Sequence, residues 1–293
     1  VNNRSCHHDL WLISNYSKLM DKIFNYLVYS NTDLMMIIVF AFFFTMEQMV
    51  EKPFAIKKNL MHSVSGILLQ AGYIFVNLAT ATAFVFCCDW IANNNVGLFN
   101  QVHIAYSLQI VFGLLAIDFV AYWAHRVNHR LSIFWRLHRV HHSDTAMDSS
   151  TSLRAHPFDV LLDNASILVA ALIFGLDINI LIIRWVIYMP LFFAHHSSIN
   201  YPKWIDDTFG KIFVTPNLHK IHHHQLQEYT DSNYGNILII WDKLFKTYKY
   251  IPVKEINYGL VEFEPKGRQS FWFLLISPFI KLTKAINIAI LKV

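Results

Sequence analysis

Charge is what this sequence has least of. Asp, Glu, Lys and Arg make up 15% of its 293 residues against 55% hydrophobic residues, where a soluble protein carries about 25% charged residues. That balance excludes an ordinary soluble domain of this size, and a formal net charge of only +4 gives no footing for nucleic acid. Cysteine is scarce: Cys6, Cys87 and Cys88 form no CxxC pair, which excludes a disulfide framework and an iron–sulfur cluster and leaves three expected thiols. The nine glycines form no G-x-G-x-x-G turn, so no dinucleotide fingerprint is present, and no b5-type haem segment is apparent. There is no H-E-x-x-H helix and no Glu-x-x-His pair, which sets aside the zinc-protease and ferritin-like carboxylate sites. The first residues lack the basic start, apolar centre and small-residue cleavage site of a signal peptide, so the first apolar segment is expected to be retained.

Apolar runs are abundant. Residues 33 to 50, 60 to 88 and 104 to 124 read as three membrane helices, with Glu47 and Asp118 the main charges inside them. The connection after the first carries Lys52, Lys57 and Lys58, whereas residues 89 to 103 carry no Lys or Arg. The positive-inside rule therefore puts the first connection in the cytoplasm and returns the third helix there, where Arg126, Arg130, Arg136 and Arg139 follow. The N-terminal orientation stays open, with Arg4, Lys18 and Lys22 against Asp9, Asp21 and Asp33. The block from 158 to 194 is interrupted at 175 to 179, and each half of about 16 residues makes roughly 24 Å of helix. A hairpin turning at Gly175 returns His156 and His196 to one side; a single crossing separates them. Residues 201 to 268 read as a basic, aromatic cap, and 270 to 292 as an amphipathic interfacial helix. The expectation is one domain, residues 1 to 293: an all-α polytopic membrane helical bundle, about four to five membrane-embedded segments or hairpins, with a cytosolic histidine-rich helical cap.

Histidine is the residue in excess, at 16. His7, His8, His62 and His103 stand apart and read as polar residues near the headgroups. Eight others fall into three clusters: His125 and His129 in "HRVNH", His138, His141 and His142 in "HRVHH", and His219, His222 and His223 in "HKIHH". Separations of three and four residues place side chains on one helix face, so each cluster is expected to aim its rings at one spot. His224, rotated about 100° from His223, is expected to miss it. So many clustered imidazoles point to metal; imidazole suits iron, zinc, copper and nickel, and eight exceed what one ion needs.

The segments "DFVAYWAHRVNH", "LHRVHHS", "RAHPFD", "FAHHSSINYPKWID" and "TPNLHKIHHHQLQEYTDSNYGNILIIWDKLFKTY", in this order, resemble the fatty acid hydroxylase / sterol desaturase superfamily of membrane di-iron oxygenases over about residues 105 to 250. The resemblance implies two irons held by histidines on the cytosolic face, with O2 as co-substrate and oxidation of an unactivated C–H bond in a lipid. Carried over, it assigns His125, His129, His138, His141, His142, His219, His222 and His223 as ligands, completed by His156 and His196; His195 and His224 depart from the pattern. Asp118, seven residues before His125, is expected to accept the outer N–H of a ligand ring. Asp144, Asp159, Asp231 and Asn233 are further candidates for that role.

The expected reaction is hydroxylation, with desaturation from the same oxidant left open. Electrons must come from a separate reductase or ferredoxin-like protein, for which the basic cap is a candidate docking face. The substrate is a lipid entering sideways from the bilayer; sterols, acyl chains, sphingolipids, ether lipids and carotenoids all remain open. The expected setting is a bacterial inner membrane, or the endoplasmic reticulum in a eukaryote. Two rivals stand beside this reading: a metal-bound scaffold without catalysis, and a metal transporter, whose ligands would sit near the bilayer midplane on broken helices.

Overall fold

The computed structural model describes residues 32–50, 56–72 and 74–282. Two compact units divide at Val39 and Phe40, and the features below belong to the second, Phe40–Val293. The architecture is all-α, as expected: among the described residues there is no strand, only two isolated β-bridges, Phe213 with Leu238 and His224 with Tyr258. The long helices are α1 (Thr32–Val50), α2 (Ile56–Gly72), α3 (Ile74–Asn94), then, after the single turn α4 (Leu98–Gln101), α5 (Tyr106–Arg130). The expected segment 60 to 88 is helical on both sides of residue 73, which lies outside the described residues. The short α6 (Ser132–His138) is followed by the hairpin α7 (Pro157–Phe174) and α8 (Ile178–His196), and the cap holds α9 (Lys203–Thr208), α10 (Pro216–His222), α11 (Gln227–Thr230) and α12 (Ile240–Leu244).

Among the described residues, α5, α7 and α8 are long and apolar enough to cross a membrane, and Leu34–Val50 and Ser63–Gly72 are shorter apolar helices. At 18 and 19 residues, α7 and α8 exceed the lengths read from the sequence and make about 27–29 Å of helix each. Their boundaries follow from local chemistry. Pro157 at the first turn suits a helix start because its missing N–H would have no partner there. Gly175, at φ 72°, ends α7 in the left-handed region that favours glycine, and Asp177 then caps α8 by accepting from the N–H of Asn179 and Ile180. Gly97 faces this turn so closely that a Cβ on it would meet Gly175 N at 2.1 Å.

Lipid tails are as apolar as leucine, so helices in a bilayer associate through close packing and polar contacts rather than apolar burial. The core between α3, α5, α7 and α8 shows this: Ile117, Ala170, Ala171, Leu176 and Ile180 are fully buried, and Gly113 lets Ile180 approach α5 to the limit of contact. Asn164 of α7 donates to Thr80 of α3 (3.3 Å), and Asn128 of α5 to Asp163 of α7 (3.4 Å). The hairpin brings both its outer ends to one side, where α5 and α6 also end.

Of the C-terminal tail, the helix α13 (Phe271–Ile276), a turn at Ser277–Phe279 and residues 280–282 are described; residues 283–293 of the expected interfacial segment, with Lys284, lie outside the described residues, as do residues 51–55 and the N-terminal 31 residues.

Candidate metal centre

Nine histidine rings converge where α5, α6, α8 and α10 end. One group comprises His125, His129, His138, His142 and His222; the other His141, His196, His219 and His223, with the nitrogens of each within 4.8 Å of one another. The clusters thus do not each aim at one spot, as their spacing had led one to expect. Residues four apart stay together: His125 with His129, His138 with His142, His219 with His223. The residue between is turned away, because on a helix positions i+3 and i+4 differ by about 100°. His222, the last residue of α10, therefore serves one group and His223, its cap residue, the other. His141 separates from His142 in the same way, within a 3₁₀ turn after α6.

Backbone carbonyls fix which nitrogen of four of these rings carries the proton. A carbonyl only accepts, so the ring nitrogen facing it must be N–H. His125 Nδ1 donates to Tyr234 O (2.8 Å), His222 Nδ1 to Ser232 O (2.7 Å), His196 Nδ1 to Phe192 O (2.7 Å) and His141 Nδ1 to Arg154 O (3.3 Å). His138 Nδ1 faces the buried carboxylate of Asp159 at 3.0 Å. Each of these rings then presents a bare Nε2 lone pair inward. Yet His196 Nε2 and His141 Nε2 stand 3.0 Å apart, as do His125 Nε2 and His138 Nε2. Two lone pairs cannot hydrogen-bond each other; a cation between them resolves the contact. Two nitrogens about 2.1 Å from one ion and at right angles would be about 3.0 Å apart. The Nε2 atoms of His129, His222 and His223 are buried with no hydrogen-bond partner among the described residues, which is how nitrogens reserved for a metal present themselves.

Electrostatics agree. Burial pushes the His138 and His141 imidazoles down to about 3, and His142, His219, His222 and His223 well below their ordinary value, with neighbouring rings adding to the effect on all of these but His138. They are held neutral, the form that ligates metal. The donors are all imidazole nitrogen, with no thiolate or carboxylate in either group, a set that fits iron and equally zinc, copper or nickel.

The remaining expected residues are placed differently. His156 is not brought to either group: it caps α7, its Nδ1 accepting from Phe158 N–H (3.2 Å) and its Nε2 donating to Leu275 O (3.2 Å), so neither nitrogen is free. His196 points inward while His195 turns to Val214 O (3.0 Å). His224 faces away, accepting from Leu226 N–H (2.8 Å) and packing on Tyr229. Asp118 does not touch a histidine; it accepts from Ile237 N–H, Leu238 N–H and the Trp241 indole, because the loop 237–241 comes down onto that face of α5. Asp144 accepts from the Thr151 hydroxyl and Ala146 N–H and lies 3.7 Å from the Arg154 guanidinium, and Asn233 ties Leu218 O to Lys249. Asp159 and Asp231 do face rings, His138 at 3.0 Å and His129 at 3.4 Å.

Three supports lie beyond what the spacing of the histidines shows, although Glu47 stands out in the sequence as a charge inside an apolar helix. The carbonyls that orient the rings belong to any residue type. Buried Asp242 gathers Tyr234 N–H, Gly235 N–H and the Thr247 hydroxyl, holding the loop whose carbonyl meets His125. Glu47 of α1 accepts from Ser149 N–H (2.9 Å) and Ser198 N–H (2.6 Å), pinning the chain just after His196.

Residues 110–247 match the model of the fatty acid hydroxylase family. Human alkylglycerol monooxygenase is 31% identical over 171 residues, 52% of this chain and 34% of that protein. The ornithine lipid hydroxylase of Rhizobium tropici is 30% identical over 149 residues, 50% of this chain and 43% of its own. A very-long-chain aldehyde decarbonylase of Oryza sativa subsp. indica is 30% identical over 142 residues, 48% and 52% of the two chains. The chain thus spans about a third to a half of the length of these curated relatives. No solved structure matches it significantly.

Proposed function

We propose that this chain, which belongs to the fatty acid hydroxylase family through residues 110–247, is a membrane oxygenase that hydroxylates an unactivated C–H bond of a lipid at a pair of irons. The observation that carries the metal part is the pair of adjoining histidine groups whose inward lone pairs face one another. We take the ligands to be His125, His129, His138, His142 and His222 for one iron and His141, His196, His219 and His223 for the other. Two relatives named as a monooxygenase and a lipid hydroxylase favour hydroxylation over desaturation. In this reading residues 1 to 293 act as one catalytic unit, the histidines face the cytosol, and a separate electron-transfer protein reduces the centre.

Bound iron would supply reduction of O2 and, from it, the power to break a C–H bond. The chain's own residues prepare the place. Tyr234 O, Ser232 O, Phe192 O and Arg154 O hold the rings in one tautomer and one orientation. The Asp159 carboxylate, facing His138 Nδ1, makes that ring a stronger donor. Burial of all nine rings, each under a tenth exposed, keeps bulk water from the space they enclose.

The test is purified full-length protein assayed for iron, then supplied with reductant, labelled O2 and membrane lipid. Two irons per chain and label in a lipid hydroxyl are expected. A lipid profile identical with and without the gene, under oxygen, would instead indicate a metal-bound scaffold without catalysis.

A further inference from the structure

Asp118 marks the depth of a loop. It lies seven residues before His125 on α5, hence about 10 Å closer to the Tyr106 end of the helix. There it accepts from the N–H of Ile237 (3.0 Å) and Leu238 (3.1 Å) and from the Trp241 indole (2.9 Å). The segment 237–244 is thereby drawn down along α5, past the level of the histidines. A hydrocarbon core of about 30 Å that begins at Tyr106 ends some 20 residues on, near Arg126. Asp118 and the loop it holds fall on the hydrocarbon side of that boundary. Backbone donors at such depth must be satisfied inside the protein, and Asp118 does this for two that no helix serves.

The outward side chains suit the same place. Phe209, Ile212, Phe213 and Leu244 are between 43% and 66% exposed. They form one surface, because Phe213 bridges to Leu238 and the Lys243 ammonium donates to Gly210 O and Lys211 O (2.9 Å each), tying α12 to the turn at 209–211. That surface continues onto α5 through Phe119, 5.1 Å from the Trp241 ring, and Trp123, 4.9 Å from the Phe245 ring. Lys211, Lys243 and Lys246 stand exposed around it. An apolar centre with a basic rim, continuous with a membrane-spanning helix, matches the boundary between acyl chains and anionic headgroups.

We propose that residues 209–213 and 237–246 form an elbow seated in the outer part of the bilayer leaflet on the histidine side, anchoring the cap directly to lipid. The proposal rests on α5 crossing the membrane and not on the chemistry at the histidines. The full chain carrying Cys6→Ser, Cys87→Ala and Cys88→Ala is reconstituted in vesicles of phosphatidylcholine and phosphatidylglycerol. One spin label is placed through Ile212→Cys, Leu244→Cys or, at the exposed cap residue Glu228, Glu228→Cys. Labels at 212 and 244 are expected to meet dissolved oxygen, relative to a water-soluble nickel chelate, severalfold more often than the label at 228. Equal ratios at all three positions overturn the elbow, and so do labels shielded from both reagents, which would mean that protein covers the surface. Trp204, which is exposed and lies 6.4 Å from the Phe209 ring, gives an independent reading without cysteine variants. Fluorescence quenching by lipids brominated near the headgroup should be smaller in Trp204→Phe than in the parent, and unchanged quenching counts against the elbow.

Discussion

The rings of His142 and His223 lie 4.4 Å apart between centroids and 21° from parallel, although each belongs to a different histidine group. The two groups therefore share a wall, and whatever fills one is felt in the other.

Metal content follows from that division. The purified protein is expected to hold two ions per chain by elemental analysis. His222→Ala opens one group and His141→Ala the other, so each single variant should lose at least one ion and the double variant should retain almost none. One ion in the parent, or an unchanged count in the double variant, contradicts two sites.

The pH dependence has a definite sign. Burial lowers His138 and His141 to about 3 in the folded chain, from an ordinary 6.5. As pH falls, the unfolded chain takes up protons first, so this stability is fully present above about pH 6.5 and is lost toward pH 3. Each ring contributes up to about 1.4 kcal/mol per pH unit in that window. Thermal unfolding of metal-free protein should be flat above about pH 7 and move steadily lower between about pH 6 and pH 4; a midpoint that rises on acidification would refute it.

Asp159→Asn keeps an oxygen opposite His138 Nδ1 but removes the acid that can ionise against the ring once metal is bound. A loss of about 10–100-fold in metal affinity is expected, measured by the chelator concentration that strips the protein. Asp207→Asn, at an exposed carboxylate paired with Lys203, should change that concentration little.

Asp118→Asn should behave in the opposite way. One of its two oxygens becomes an NH2 facing an N–H, at a cost on the order of 2–3 kcal/mol. The melting temperature falls, while the folded fraction keeps its full metal content. Metal loss without loss of stability would show Asp118 acting on the histidines after all.

At the far end of the bundle, a Cβ at Gly97 would strike Gly175 N at 2.1 Å, and its own φ is 92°. Gly97→Ala should destabilise by on the order of 2–4 kcal/mol, seen as a lower melting temperature in detergent.

How far the sequence could be read depends on what kind of contact is asked about. The rings needed for a metal centre are visible as spacing, because three- and four-residue separations are properties of one helix. Their division into two groups follows from the same spacing, since positions i+3 and i+4 differ by about 100° on a helix; that step separates His223 from His224 in the sequence and equally separates His222 from His223. His156 carried a signal that pointed elsewhere: a polar residue before Pro157 is the pattern of a helix cap, and capping occupies its Nδ1. Asp118 is expected to serve a ligand ring and instead serves a loop about 120 residues further along, a partner that local pattern does not encode. The hairpin was legible because Gly175 and Asp177 punctuate it chemically.

Glu47 meets Ser149 and Ser198 at the edge of the histidine groups, and this sets an order of events during synthesis. The carboxylate is made first and must wait about 150 residues for Ser198, which at 5–20 residues per second is roughly 8–30 seconds. Only then is the stretch after His196 held in place, and His219, His222 and His223 come later still. On the proposed reading metal loading is a late step in biogenesis, because neither histidine group is complete until residues 219 to 223 have been made.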